Sequence, residues 1–189
     1  MEILRRLQDS VDGPVIIQPS IFRDDRGYFF ESFNEAEFNE KVSEAKFVQD
    51  NESKSSYGVV RGLHFQNPPY AQAKLVRVVS GAVFDVAVDI RKGSPTYGTW
   101  TGAYLSGQNQ RQFFIPRGFA HGFISLADNT IFQYKCDNYY NKESEGCIKW
   151  NDPTIGITWA EWMNFGSTVT SEKDEKGVFF TDFESQFEY

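Results

Sequence analysis

Lys74-Leu75-Val76-Arg77-Val78-Val79-Ser80-Gly81-Ala82-Val83-Phe84-Asp85-Val86-Ala87-Val88-Asp89-Ile90 is the stretch that decides the fold. β-Branched and aromatic residues fill it on both sides of a Ser80-Gly81 corner, and the pattern reads as two strands joined by a two-residue turn. Arg77, Asp85 and Asp89 interrupt the apolar run. On a sheet with one wet face such charges are solvated, whereas in a closed barrel the same spacing turns them into a polar interior. Both readings stand at this point.

Working outward, Gln112-Phe113-Phe114-Ile115-Pro116, Gly118-Phe119-Ala120-His121-Gly122-Phe123 and Thr130-Ile131-Phe132-Gln133-Tyr134-Lys135-Cys136 supply further short strands with Gly and Pro corners. Toward the N-terminus, Val15-Ile16-Ile17-Gln18-Pro19 reads as a strand, and the polar turn Arg23-Asp24-Asp25-Arg26-Gly27 leads into the aromatic strand Tyr28-Phe29-Phe30-Glu31-Ser32-Phe33. Asn34 is placed to cap a helix over residues 35 to about 46, with Glu37 at the reciprocal position and Phe33 and Phe38 as a hydrophobic staple. Phe47-Val48-Gln49-Asp50-Asn51 then gives way to a Ser-rich turn over 53–58, ahead of the strand that holds His64. Short strands at regular spacing, with no strong helix among them, indicate an all-β, mainly antiparallel jelly roll with a few short helices. The expected organisation is one domain over 1–189, with a core over about 15–160 and a C-terminal segment, 161–189, folded near the site.

Composition narrows the function. The chain has 189 residues, 40% of them hydrophobic and 24% charged, which suits a single domain that buries a core without disulfides or structural metal. A net charge of −7 argues against nucleic-acid binding through phosphate neutralisation, though not against a local basic pocket. Cys136 and Cys147 suggest neither a disulfide framework nor a zinc site, and both are expected reduced. No window approaches the length of a signal peptide's apolar core or a membrane span, so the expected location is the cytoplasm, with no membrane partner.

His64 and His121 are the only histidines. His64 lies in Arg61-Gly62-Leu63-His64-Phe65-Gln66, and an imidazole, with a reference pKa of ~6.5, suits proton transfer near neutral pH. Gln66 stands where a His-x-His ligand pair would need its second ring, so a metal site would require carboxylates brought in from elsewhere, and none is expected. Metal-free acid–base chemistry fits better, with His64 as base, a strand tyrosine as acid and Lys74 as the cation for a developing oxyanion. Such a set serves deprotonation beside a carbonyl.

The sequence resembles the dTDP-4-dehydrorhamnose 3,5-epimerase family from about residue 15 to 159, with a shorter echo at Ser171-Glu172-Lys173-Asp174. The resemblance is carried in order by Asp25-Arg26-Gly27-Tyr28-Phe29-Phe30-Glu31-Ser32, Phe47-Val48-Gln49-Asp50-Asn51, Arg61-Gly62-Leu63-His64-Phe65-Gln66, Gln72-Ala73-Lys74-Leu75-Val76, Phe84-Asp85-Val86-Ala87-Val88-Asp89-Ile90-Arg91, Pro116-Arg117-Gly118-Phe119-Ala120-His121-Gly122-Phe123 and Trp150-Asn151-Asp152-Pro153. It implies a cupin-type jelly roll acting as a homodimer, without metal or other cofactor, on a dTDP-linked 4-keto-6-deoxyhexose inverted at C3 and C5, supplying dTDP-L-rhamnose for surface polysaccharide. A relative that inverts C3 alone would share these motifs, and a non-catalytic sugar-binding jelly roll is the reading from another class. By the same resemblance His64 is the base, Asp174 its partner, Tyr134 the acid on the opposite face and Lys74 the group that holds the enolate oxygen. His121, Asp85, Tyr139 and Glu145 then belong to the pocket. Arg61, Gln49 and Asn51 contact the nucleotide diphosphate, with Glu31 also on the substrate and Arg26 reaching in from the partner subunit. Asp85 and Asp89 are alternative partners for His64.

Overall fold

In the computed structural model, which describes residues 1–6, 12–163 and 166–189, the deciding stretch forms two strands that do not pair with each other. In chain order the strands are β1 (Glu2–Arg6), β2 (Val15–Gln18), β3 (Ile21–Asp24), β4 (Gly27–Phe30), β5 (Gln49–Ser55), β6 (Val60–Gln66), β7 (Lys74–Ser80), β8 (Ala82–Asp89), β9 (Arg91–Lys92), β10 (Trp100–Ser106), β11 (Gln112–Ile115), β12 (Phe119–Ser125), β13 (Thr130–Cys136), β14 (Glu145–Cys147) and β15 (Phe187–Glu188). Helix α1 (Glu35–Lys41) lies between β4 and β5, and α2 (Glu172–Glu175) precedes β15. Beside two two-stranded ladders, antiparallel β3–β4 and parallel β9–β15, stand two large sheets, one with the order β1-β2-β11-β7-β13-β5 and the other β10-β8-β12-β6-β14. Pairing within both is antiparallel, and the chain crosses from one sheet to the other at Ser80-Gly81. The expected hairpin is therefore a corner. Gly81 makes it at φ +82°, where a Cβ would overlap Thr130.

The core explains why β8 carries so little polarity. Its inner face, with Val83 and Ala87, packs with Phe119 and Phe123 against Val76, Val78, Phe113 and Phe132 of the facing sheet. Its outer face, with Phe84, Val86 and Val88, packs with Ile148, Ile155, Trp159 and Phe187 from the C-terminal third. A strand buried on both faces loses simple alternation. Asp85 and Asp89 are nevertheless fully buried, which removes the solvated-face reading for both, whereas Arg77 on β7 stays partly exposed. Asp89 accepts from the Arg91 guanidinium, the Arg91 N–H and the hydroxyls of Ser94 and Thr96, so it is a structural anchor.

Helix α1 begins as expected, with the Asn34 side chain accepting the Glu37 N–H at 3.1 Å and the Phe33 and Phe38 rings 5.8 Å apart. It ends sooner, at Lys41 rather than near residue 46. The Asn39 carboxamide accepts the Ala45 N–H and turns the chain off the helix axis, a local bond that competes with the helical ladder. Glu37 does not close a reciprocal cap but binds the amino terminus and Lys41. Strand β5 runs through Ser55, so the Ser-rich turn is shorter than the composition suggests. The Phe-rich tail covers the outer face of the second sheet, with Phe183 and Phe187 against Phe65.

Candidate active site

Strand parity fixes which side chains share the space between the sheets. On β12, Phe119, His121 and Phe123 alternate inward, and His121 is the direct partner of His64 on β6. On the facing sheet, Tyr134 of β13 alternates with Phe132 and Cys136, opposite Asn51 of β5, and Cys136 is the partner of Lys74 on β7. His64, His121 and Asp85 thus come from one wall, and Lys74, Tyr134, Gln49 and Asn51 from the other.

The His64 Nε2 lies 2.7 Å from Asp174 Oδ1. The contact is short, but Nε2 makes no aligned hydrogen bond to the carboxylate. Asp174 caps the short α2 turn, where Ser171 donates to Oδ2 through its hydroxyl (2.6 Å) and its N–H (3.2 Å), and the Gly62 N–H donates to Oδ1 (3.1 Å). Burial opposes ionisation of this carboxyl, but His64, Ser171 and Gly62 outweigh it and hold Asp174 well below the usual carboxylate range. Gly62, at φ +138°, permits the arrangement, since a Cβ there would sit 2.5 Å from Gly122 Cα and part β6 from β12.

Asp85, the alternative partner, is committed elsewhere, with its two oxygens 2.9 and 3.1 Å from His121 Nε2. Burial disfavours the charged form of each, lowering His121 and raising Asp85, and each partner opposes the other's shift. Burial also lowers Lys74, against the influence of Cys136 and Asp85, and among the described residues Lys74 makes no ion pair. Burial, reinforced by Cys136 and Glu145 and opposed by Arg61, raises Tyr134, which keeps the phenol protonated at neutral pH.

Around this centre, Arg61 is braced by Ser55 Oγ (3.2 Å), and Gln49 donates to Asn51 Oδ1 (3.1 Å). Glu145 on β14 meets Lys173 and the Tyr140 hydroxyl. Tyr139 is exposed. Gln66 is spent on structure, donating to the Tyr70 and Tyr139 carbonyls and accepting the Asn141 N–H. Arg26 and Glu31 are not drawn in. Both are exposed, Arg26 pairs with Asp24 at 2.5 Å on the β3–β4 hairpin, and no described contact joins either to His64. One neighbour escaped the sequence reading. Cys147 of β14 is the cross-strand partner of His64, and burial pushes its thiol up to about 12. Only the pairing of a three-residue strand reveals it, and a run of three residues has no readable period.

Fold and site together define a jelly roll with an imidazole and a phenol on opposite walls, a geometry suited to acid–base chemistry on a ligand held between them. The family model described as dTDP-4-dehydrorhamnose 3,5-epimerase matches residues 8–182. The dTDP-4-dehydrorhamnose 3,5-epimerase of Methanothermobacter thermautotrophicus is 54% identical over 174 residues, covering 92% of this chain and 93% of that protein. A crystal structure of dTDP-6-deoxy-D-glucose-3,5-epimerase from Legionella pneumophila, in complex with dTDP-4-keto-L-rhamnose, superposes with a TM-score of 0.91 at 44% identity and covers 100% of this chain and 98% of that one. A 3'-monoepimerase from Streptomyces bikiniensis in complex with dTDP-quinovose is more distant, at 30% identity and a TM-score of 0.83, covering 89% of this chain and 84% of that one. The chain belongs to the dTDP-4-dehydrorhamnose 3,5-epimerase family, and its fold is the cupin-type jelly roll.

Proposed function

We propose that this chain converts dTDP-4-dehydro-6-deoxy-D-glucose to dTDP-4-dehydro-L-rhamnose by inverting C3 and C5, for dTDP-L-rhamnose synthesis. The observation that carries the mechanism is the placement of His64 and Tyr134 on facing sheets. Both carbons flank the C4 ketone, so removal of either proton gives an enolate. His64 takes the proton, and the anchored Asp174 carboxylate stabilises the imidazolium and fixes its ring. The Lys74 ammonium stabilises the enolate oxygen, a charge partner that gains strength from burial. Tyr134 returns a proton to the opposite face, which inverts the carbon. His121 and Asp85 form a rigid floor beside the base, and Tyr139 and Glu145 line the sugar pocket. Arg61, Gln49 and Asn51 hold the nucleotide diphosphate, joined by Glu31 and Arg26.

Arg26 serves the site of a partner subunit. Its hairpin projects Phe22, Tyr28 and Phe29 at 65%, 52% and 71% exposure, apolar surface that a homodimer would cover. The catalytic unit is one domain spanning 1–189, works in the cytoplasm and uses no metal or other cofactor, nucleic acid or membrane partner. Incubation with dTDP-4-dehydro-6-deoxy-D-glucose, followed by NMR of the product, tests the reading. Inversion at C3 and C5 is the expected result. Inversion at C3 alone moves the chain to the single-epimerase branch, and unchanged substrate with folded protein sinks the assignment.

A further inference from the structure

Cys147 has no part in this reaction, yet the register of β14 on β6 sets it beside the base. Three elements converge there. One donor atom from each of His64, Cys147 and Asp174 lies within 4.8 Å of the other two. The His64 Nε2 is buried and has no aligned hydrogen bond among the described residues, although Asp174 Oδ1 is 2.7 Å away. The donors are an imidazole nitrogen, a sulfur and a carboxylate oxygen, a mixture that suits neither Mg2+ nor Ca2+, which take oxygen ligands in sixfold or higher coordination.

We propose that His64, Cys147 and Asp174 form an inhibitory site for a borderline-soft divalent cation of the Zn2+ class. Zinc bonds of about 2.0–2.3 Å in tetrahedral geometry set donor atoms roughly 3.3–3.6 Å apart, so the Cys147 sulfur closes in by side-chain rotation while the His64–Asp174 contact, 2.7 Å without the cation, opens to admit it. The Cys147 thiol gives its proton to solvent as the sulfur–metal bond forms, and no electron is transferred. The cation occupies the Nε2 lone pair and the Asp174 oxygen, so His64 can no longer take a proton from carbon. That last step rests on His64 being the base. Binding of the cation does not.

The test is a Co2+ titration of chelator-stripped protein in thiol-free buffer. The expected result is a thiolate-to-cobalt charge-transfer band in the near ultraviolet that saturates at one cation per chain and is displaced by Zn2+. Cys147→Ser should lose the band, keep basal turnover and tolerate at least about 10-fold more Zn2+ before inhibition. Asp174→Asn, which leaves the thiol in place, should bind Co2+ about 10-fold to 100-fold more weakly. Absence of the band in the unaltered protein, or equal Zn2+ sensitivity in Cys147→Ser, overturns the proposal. A protein that shows the band yet fails to turn over when metal-free keeps the cation site and loses the epimerase reading.

Discussion

Two carboxylate–imidazole pairs lie side by side at the centre of this molecule, and they differ in how the carboxylate is held. Asp85 is buried among apolar side chains with His121 as its bonded partner, whereas Asp174 accepts three hydrogen bonds from Ser171 and Gly62 besides touching His64. The second arrangement keeps a full negative charge beside an imidazole that must become positive, and so it fits the base. Asp174→Asn should lower turnover by about 10²-fold to 10⁴-fold while substrate binding changes little, read as kcat against KM. Its pH signature has a definite sign. A carboxyl depressed in the folded state contributes stability that is fully present above its unfolded value, ~3.9, and is lost as pH falls through the lower folded value. Chemical denaturation of the protein and of Asp174→Asn across acidic pH should therefore show a stability gap at neutral pH that closes only below the usual carboxylate range. A gap that closes well above pH 4 would contradict it. Tyr134→Phe should retain exchange of the substrate proton with solvent and slow net inversion by about 10²-fold to 10⁴-fold. Exchange lost as completely as in His64→Ala would contradict the two-face assignment.

At the scale of elements, the Asp174 carboxylate depends on a tail that has little regular structure of its own. Asp152, buried in the Trp150-Asn151-Asp152-Pro153 motif, accepts the N–H groups of Thr154, Ile155 and Phe180, and so ties the tail to the barrel's outer face. Asp152→Ala leaves those donors unpaired and should cost about 2–4 kcal/mol in denaturant unfolding, with a fall in turnover because α2 loses its support. Wild-type stability in that variant would show that the tail is held by its aromatic residues alone. This is also where the sequence was least legible. Strand β13 has the bounds that its alternation predicts, and Asn34 caps α1 as its chemistry predicts. Strands β7 and β8 were readable as strands but not as members of different sheets, because period-2 alternation does not say which neighbour a strand pairs with. Strand β10, with Thr101-Gly102-Ala103-Tyr104, lacks the apolar signal, and β14 is too short to show one. In the tail, Phe180 and Phe183 stand at either end of a 3₁₀ turn and Phe187 in the two-residue β15, all among polar residues, so no single period marks them as cover for the core. Asp174 was legible only through a family motif, because a partner brought in by a turn 110 residues beyond His64 leaves no local trace.

At the scale of the molecule, two large sheets hold the candidate site between them, and a hairpin with exposed aromatic rings stands outside. If that hairpin pairs two chains, sedimentation should give a dimer, and Phe22→Ser with Phe29→Ser should shift it to monomer. Arg26→Ala should leave the dimer intact and raise KM with a smaller effect on kcat. A monomeric wild-type protein with full activity would contradict the shared site. Chelators should never lower turnover, since the proposed steps use no metal, and should restore it where a bound cation has blocked His64. The central claim is that one wall removes the proton and the other returns it, and incubation of dTDP-4-dehydro-6-deoxy-D-glucose in heavy water tests it most directly, with NMR at C3 and C5 and His64→Ala run in parallel. The account expects deuterium at both carbons with the unaltered protein and none with His64→Ala. Label that persists in well-folded His64→Ala would contradict it.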